Sequence, residues 1–264
     1  MLPRFFDIQR QTKVARLFRC KIMNNDFFID DFKCAHWIMD IGKVNAFGKA
    51  EIQTLENLLT KCESLYPNTI RMLSIESHKI SPGGYPVFCA GANQKERQHW
   101  SFDEKSKHLK YQRSVVHKFR KVPYWVICCV DGLALGLGVE FCIAADFVLA
   151  SPKADFCFPE KNLGIIPGAG GYSWAHHYAK DLLYAQHLID SCEHFDRDHA
   201  KYLGIVDICC ESDDFEANLI NLSKQLSLLE PEVQQRKKRD YYSNIDFSAF
   251  FEEEQRVYEN LIAD

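Results

Sequence analysis

Two acidic residues lie in otherwise apolar stretches, each beside backbone that glycine or proline controls. Glu140 follows a Gly-Leu-Gly turn, and Glu160 directly follows Pro159. Carboxyl groups in apolar surroundings have shifted pKa values, which suit them to accepting and donating protons. Each acid also has a structural explanation, because Glu140 complements a helix dipole and Glu160 fits an exposed loop. Together they favour general acid–base chemistry.

The glycine turn before Glu140 predicts a second chemical role. Gly136-Leu137-Gly138 leads into an apolar helical run, and Phe141 occupies the third glycine position that a dinucleotide-binding fingerprint requires. A tight strand-to-helix turn would by itself explain these glycines without any chemical role. Such a turn also directs unpaired N–H groups of a helix N-terminus into a cleft, where they stabilise developing negative charge. We therefore expect an oxyanion-binding turn beside Glu140.

Alternating strands and helices must position these groups. Hydrophobic periodicity and turn signals predict strands at residues 35–39, 70–75, 125–130 and 147–150, and helices at residues 50–65, 101–121 and 139–145. Strands that alternate with helices are typical of an α/β fold built from βαβ units. From about Gly171 the pattern is helical, with no clear strand after residues 206–208. We expect a single domain with a core over residues 1–205 and a helical C-terminal region over residues 206–264.

Composition narrows the function classes. The 264 residues carry a net charge of −4, which lacks the basic footprint of a nucleic-acid binder. The apolar run over residues 122–150 contains Asp131, Glu140 and Asp146, so it does not predict a transmembrane helix. We expect neither nucleic acid nor membrane as a partner.

Eleven cysteines without a Cys-x-x-Cys pair predict reduced, buried thiols and a cytoplasmic location, with no metal site. The first twenty residues are basic, which resembles a transit peptide weakly, but we expect them to belong to the folded protein. The histidines from His176 to His194 fit a polar helix face better than a metal cluster. The run Arg236 to Arg239 is predicted to be a solvated charge run.

Three segments resemble the crotonase superfamily, in particular enoyl-CoA hydratase/isomerase proteins. They are Phe88-Cys89-Ala90-Gly91-Ala92-Asn93, Val130 to Glu140, and Phe158-Pro159-Glu160 to Gly171. The resemblance covers roughly residues 35 to 210. It implies a crotonase-like ββα superhelix, or spiral, with a helical C-terminal region that assembles a homotrimer or hexamer. It also implies an acyl-CoA thioester as the substrate and no further cofactor.

The resemblance also assigns roles to individual residues. The N–H groups of Ala92 and Leu137 would bind the thioester oxygen. Glu140 would help to activate water, and Glu160 would deliver or remove the α-proton. The residues expected to contact substrate or coenzyme A are Lys43, Ala90, Gly91, Gly136 and Gly168. This pattern implies hydration or dehydration of an α,β-unsaturated acyl thioester, or double-bond migration through Glu160.

Four departures from the family pattern keep other functions open. Leu137 stands at the middle position of a usual glycine triplet, where a side chain would narrow the acyl pocket or shift the turn. Asn93 replaces the usual Asp, and Tyr172-Ser173-Trp174 replaces Thr-Gln-Arg. The chain reaches Asp264 short of the family's usual last helix. The alternatives are a dehydratase, decarboxylase or thioester hydrolase acting on an acyl-carrier-protein thioester, and a non-catalytic thioester-binding relative.

Overall fold

A computed structural model describes residues 18–22, 25–211 and 215–263. Twelve strands occupy Phe18–Ile22 (β1), Asn25–Ile29 (β2), Cys34–Met39 (β3), Met72–Ser77 (β4), Lys79–Ile80 (β5), Pro86–Cys89 (β6), Trp125–Val130 (β7), Leu133–Leu135 (β8), Phe147–Ala150 (β9), Asp155–Cys157 (β10), Phe195–Asp196 (β11) and Ile208–Cys209 (β12). The assignment of residues 1–17 to the folded protein falls outside the described residues and stays a prediction.

Ten α-helices accompany the strands within the described ranges. They span Lys49–Leu65 (α1), Gln94–Arg97 (α2), Phe102–Lys121 (α3), Leu137–Ala144 (α4), Gly171–Ser173 (α5), Leu182–Ser191 (α6), Arg197–Leu203 (α7), Phe215–Ser227 (α8), Pro231–Tyr242 (α9) and Phe247–Ile262 (α10). A 3₁₀ helix covers Glu160–Leu163, and a π-helical turn covers Trp174–Tyr178. No helix among these is long and apolar enough to cross a bilayer.

The strands form two sheets that the chain visits alternately. The larger sheet has the order β1-β2-β3-β4-β7-β9-β12, and the smaller has the order β11-β10-β8-β6-β5. β4, β7 and β9 each lie in the larger sheet and are followed by β6, β8 and β10 in the smaller one. Helix α3 separates the first two of these turns and α4 separates the next two. This repeated strand–strand–helix path is the predicted spiral, which is therefore confirmed.

The apolar spacing that predicted the first long helices corresponds to their buried faces. α1 buries Ile52, Leu55, Leu59 and Cys62. α3 begins at a capping box, in which Ser101 and Glu104 exchange hydrogen bonds with each other's backbone N–H. Both helices pack on the main hydrophobic core beside the sheets. A second apolar cluster lies between the larger sheet and α8, where Leu219, Leu222 and Leu226 are buried.

Two boundaries differ from those expected. Helix α4 begins at Leu137, two residues earlier than the apolar run indicated, because the left-handed turn ends at Gly136. Strand β12 pairs with β9, so the larger sheet continues past residue 205 into the segment assigned to the C-terminal region. Strands β5, β6, β8 and β11 of the smaller sheet were not predicted, since two to four residues carry too little periodicity.

Candidate active site

Ala92 lies in a short segment that a neighbouring loop holds along one edge. Phe47 and Ala92 form an isolated parallel bridge, in which the Phe47 N–H donates to Gly91 O at 2.9 Å and the Asn93 N–H donates to Phe47 O at 2.8 Å. The N–H of Ala92 is left out of this bridge, and no acceptor for it lies among the described residues. It is therefore free to bind a ligand oxygen.

The loop that supports this segment is fixed by a buried asparagine. Asn45 adopts a left-handed conformation, and its Nδ2 donates to Phe88 O at 3.0 Å. The Ala90 N–H donates to Val44 O at 3.1 Å. Lys43 lies in the same loop with an exposed side chain. The loop thus borders the Ala90–Ala92 segment and places the Lys43 side chain in solvent beside it.

The second predicted donor is the first residue of α4. Gly136 has φ +50°, and its N–H donates to Cys157 O at 2.9 Å, so the turn enters the helix directly after it. The Leu137 N–H has no acceptor in the described parts of the chain. A Cβ built on Gly91 would lie 3.6 Å from Leu137 N, which places the Ala92 and Leu137 segments side by side. Two unpaired N–H groups therefore border one site.

The side chain of Leu137 does not distort this turn. Leu137 is absent from the residues with positive φ, and it is 1% exposed within the main hydrophobic core. The left-handed backbone angles fall on Gly136, which carries no Cβ to resist them. The turn accommodates leucine at the position where the family has glycine.

Glu140 lies one turn into α4 and is fully enclosed. Its Oε1 accepts hydrogen bonds from the Ala169 N–H at 2.6 Å and the Gly171 N–H at 2.9 Å. Burial and the negative charge of Glu254 raise the pKa of Glu140 to about 7, against the two N–H donors, which favour the carboxylate. The ionised form of Glu140 is therefore held in place by fixed backbone dipoles.

Glu160 has fewer hydrogen bonds than Glu140. It opens the 3₁₀ helix and is 8% exposed, so the exposed-loop interpretation does not hold. Its Oε2 is buried and accepts no hydrogen bond in the described structure. Burial, and then the charge of Glu140, raise the pKa of Glu160 to about 8. A Cβ on Gly136 would overlap Glu160 Oε1, which places this carboxyl at the turn that carries the Leu137 N–H.

The two carboxyls thus share one enclosed site and have different preferred states. Glu140 has two fixed donors that stabilise a negative charge, and Glu160 has an oxygen without a donor. When one proton is present, we assign it to Glu160. This arrangement places two enclosed carboxyls beside two unpaired N–H groups; the catalytic roles of these four residues stay predictions.

A buried ion pair that was not predicted from the sequence supports the loop that binds Glu140. Arg113 Nε on α3 lies 2.7 Å from Glu254 Oε1 on α10, and both side chains are almost fully buried. Arg113 Nε also donates to Gly168 O at 2.8 Å. Glu254 accepts from the N–H groups of Gly170 and Ser173. This segment, residues 168–173, is called the glycine loop; it is held from α3, α4 and α10 together.

The remaining predicted residues have specific locations. Gly168 packs against Leu109 of α3, because a Cβ there would lie 2.7 Å from a Leu109 methyl carbon. The three residues that replace the usual Thr-Gln-Arg are also placed: Tyr172 stacks on His176, Ser173 Oγ donates to Glu254, and Trp174 is buried. Ser173 thus contacts α10 of the C-terminal helical region, whereas Trp174 belongs to the main hydrophobic core.

Two charged segments lie outside the site, the histidines from His176 onward and the basic run on α9, and the second differs in part from its prediction. His177 pairs with Glu253, and His176 binds the backbone of Tyr172, so both histidines have helix-surface partners. Within the basic run on α9, Lys238 is buried and lies 2.6 Å from Asp146 Oδ2. The interpretation as a fully solvated run is therefore wrong at Lys238, which anchors α9 to the core sheet.

The chain is similar to known proteins over most of its length. Residues 43–261 match the family model for enoyl-CoA hydratase/isomerase. The chain is 29% identical over 226 residues to the probable enoyl-CoA hydratase 2, mitochondrial, of Arabidopsis thaliana, covering 83% of the chain and 70% of that protein. It is 31% identical over 175 residues to the human methylglutaconyl-CoA hydratase, mitochondrial, covering 64% of the chain and 49% of that protein. The chain thus spans about half the length of the human relative.

Solved structures share the fold. The crystal structure of an enoyl-CoA hydratase from Bacillus anthracis superposes with a TM-score of 0.72 at 22% identity, covering 96% of the chain and 92% of that structure. An enoyl-CoA hydratase from Geobacillus kaustophilus has a TM-score of 0.78 at 16% identity, covering 91% and 90%. These similarities extend over both sheets and the C-terminal helices.

Proposed function

Because the chain belongs to the enoyl-CoA hydratase/isomerase family of the crotonase superfamily, we propose that it is a hydratase of α,β-unsaturated acyl-CoA thioesters. The observation that carries this proposal is the pair of enclosed carboxyls with unequal hydrogen bonding. Glu140 is prepared to accept a proton, and Glu160 to give one. A reaction that needs both at once is the addition of water across a polarised double bond.

In this mechanism the thioester oxygen accepts hydrogen bonds from the Ala92 and Leu137 N–H groups. The Glu140 carboxylate takes a proton from water while the water oxygen bonds to the β-carbon. The double-bond electrons move to form an enolate, whose negative oxygen stays on the two N–H groups. Glu160 then transfers its proton to the α-carbon. Each oxyanion donor contributes about 10²- to 10³-fold in rate, and each acid or base about 10²- to 10⁴-fold.

The sequence left a carrier-protein thioester open as the alternative substrate. The structure removes one support for that alternative, because Leu137 lies in the core and its backbone is unstrained. We therefore favour the coenzyme A thioester. Lys43 is exposed beside the Ala90–Ala92 segment, where its charge is available to a phosphate of the coenzyme.

The test is hydration of crotonyl-CoA, followed as loss of the absorbance of the conjugated thioester. We expect Glu140→Gln and Glu160→Gln each to reduce kcat by at least about 10²-fold. Glu63→Gln, an exposed acid on α1, is the control and should leave the rate unchanged. Near-normal activity of Glu160→Gln would contradict the proposed roles. Loss in Glu160→Gln alone would favour double-bond migration instead.

Assembly and location are part of the proposal. The family resemblance supports a homotrimer or hexamer, and light scattering would then give a multiple of three times the 30.6 kDa chain mass. All cysteines whose side chains are described are free, which supports a reducing compartment such as the cytoplasm. The Arabidopsis and human relatives are named as mitochondrial proteins, so imaging of the tagged chain in its own cells should compare both compartments.

A further inference from the structure

Arg97 is a buried cation that forms no ion pair within the described residues. It ends α2 and is 8% exposed. Its Nη2 donates to Gln112 Oε1, which is a neutral acceptor. Its Nε is buried and has no hydrogen-bond partner, and no carboxylate of the described residues lies within ion-pair distance of its guanidinium. A buried charge in this condition is destabilising, so its retention needs another explanation.

Arg97 lies close to the proposed active site. It follows Ala92 by five residues, and α2 begins immediately after Asn93, whose N–H is bonded to Phe47. The charge of Glu96, and less strongly that of Glu140, acts on the guanidinium. Gln112, which accepts the hydrogen bond from Arg97 Nη2, lies one turn beyond Leu109, which packs on the glycine loop at Gly168. Arg97 is therefore connected to Ala92 through the start of α2, and to the loop that holds Glu140 through α3.

A second unpartnered polar atom lies beside Arg97, in a cluster formed by Arg97, Trp100 and His108. His108 of α3 is 7% exposed, and its Nε2 has no hydrogen-bond partner. Both side chains contact Trp100, whose ring centroid is 5.9 Å from Arg97 Cζ and 4.8 Å from the His108 ring. Burial and the charge of Arg97 lower the pKa of His108 to about 4, so the imidazole is neutral at pH 7. The cluster presents one cation and one neutral ring nitrogen.

A role as counter-ion to Glu140 does not account for Arg97. The cation that acts on Glu140 most strongly is Arg113, and the pKa of Glu140 is nevertheless raised. Glu140 is also hydrogen-bonded by the backbone and not by Arg97. An anionic group that is absent from the free protein would satisfy Arg97 Nε and neutralise its charge. A carboxylate fits best, because it is planar and accepts hydrogen bonds from a guanidinium in well-defined geometry.

Resting on the proposed function, we propose that Arg97 binds a carboxylate at the far end of the acyl group, so that the preferred substrates are α,β-unsaturated thioesters of dicarboxylic acids. The thioester oxygen is held at Ala92 and Leu137, and the acyl chain extends toward α2 and α3. The distal carboxylate reaches the Arg97 guanidinium, with His108 beside it. Arg97 is thus a specificity-determining residue that takes no part in proton transfer.

Binding of saturated acyl-CoA ligands tests this, since these are not turned over. Isothermal titration should compare glutaryl-CoA with pentanoyl-CoA, and adipyl-CoA with hexanoyl-CoA, because each pair has equal chain length and differs in the distal carboxylate. We expect the dicarboxylic ligand of at least one pair to bind at least about tenfold more tightly. In Arg97→Met this ratio should fall to about one with the monocarboxylic affinity unchanged, and Arg97→Lys should keep part of it.

Lys95→Met is the matched control, because Lys95 is an exposed cation on the same short helix. It should keep the wild-type ratio. Equal affinities within both pairs in the wild-type protein would overturn the inference and leave the proposed hydratase intact. Failure of all four ligands to bind would instead overturn the proposed function. Should Arg97→Met not fold, as judged by its melting curve, the wild-type ratio and Arg97→Lys still decide.

Kinetics separate substrate binding from an electrostatic effect on Glu140. With glutaconyl-CoA and pent-2-enoyl-CoA as substrates, Arg97→Met should raise KM for glutaconyl-CoA only and leave kcat for both within about twofold. An equal fall in kcat for both substrates would assign Arg97 to the acid–base pair and contradict carboxylate binding.

Discussion

Glu140 and Glu254 bind consecutive N–H groups of one loop from two different helices. Glu140 Oε1 accepts from Ala169 and Gly171, while Glu254 Oε1 accepts from Gly170 at 3.1 Å. The loop is therefore fixed between an acid of the proposed active site and an acid of α10. The two carboxylates repel each other, and this repulsion contributes to the raised pKa of Glu140.

Replacing Glu254 with Gln should affect stability and the titration of Glu140 together. Glu254 is fully buried and paired with Arg113, so loss of its charge leaves a buried guanidinium unpaired at a cost of about 3–5 kcal/mol. Urea denaturation measures this cost, with Glu252→Gln as the exposed control on the same helix. Without the charge of residue 254, the acidic limb of the activity profile should move to lower pH. An unchanged limb would contradict the coupling.

The pH dependence of hydration should be bell-shaped. Activity requires Glu140 ionised and Glu160 protonated. The pKa of Glu140 is about 7, so activity falls below that pH as Glu140 takes up a proton. The pKa of Glu160 is about 8, so activity falls above that pH as Glu160 loses its proton. The two apparent pKa values of this profile belong to the interacting pair, and kcat/KM measured from acid to alkaline buffer reports them. A flat profile through this interval would count against the pair.

Replacing Gly136 with Ala should inactivate the site. The residue has φ +50°, and a Cβ there would overlap Glu160 Oε1, so both the turn and the carboxyl must move. We expect kcat to fall by at least about 10²-fold, as for loss of an oxyanion donor. Gly84→Ala is the matched control, because Gly84 has φ +84° and open space around its Cβ position. It should cost stability alone; equal activity loss in both variants would refute a specific role of Gly136.

A histidine outside the site should make stability depend on pH. His36 on β3 has Nδ1 at 2.7 Å from Glu76 and Nε2 at 3.3 Å from Asp30. Burial lowers the pKa of His36, but the neighbouring Cys34, Glu76 and Asp30 outweigh it and hold that pKa well above the usual value. The folded state therefore binds the proton more tightly than the unfolded chain does.

This stabilisation is fully present below the unfolded-state pKa of about 6.5 and is lost as pH rises through the folded-state pKa. His36→Gln should consequently lower the free energy of unfolding more at about pH 6 than in alkaline buffer. Urea denaturation at both pH values measures the difference. His99→Gln, an exposed histidine, should show no such difference. The same loss at both pH values would show that His36 acts only by packing.

Local sequence patterns predicted the parts of the fold and site that are local in the chain. β7 and α3 follow from hydrophobic periodicity and turn signals, and Glu140 and Glu160 follow from their apolar surroundings. The Arg113–Glu254 pair joins residues 141 positions apart, and Glu254 lies within an ordinary acidic run. Arg97 likewise lies in a short polar helix whose composition is typical of a protein surface. Only the packing of α3 against α10 and α2 shows that these charges are buried.

The contact between α10 and the glycine loop sets the order in which the site is completed. Ser173 and Glu254 are separated by 81 positions, so the loop reaches its final shape only when a late segment of the chain has folded onto an early one. Closing so long a loop costs chain entropy that only the finished contacts repay. Activity should therefore appear late during folding. It should also disappear first, when α10 opens locally while the two sheets remain intact.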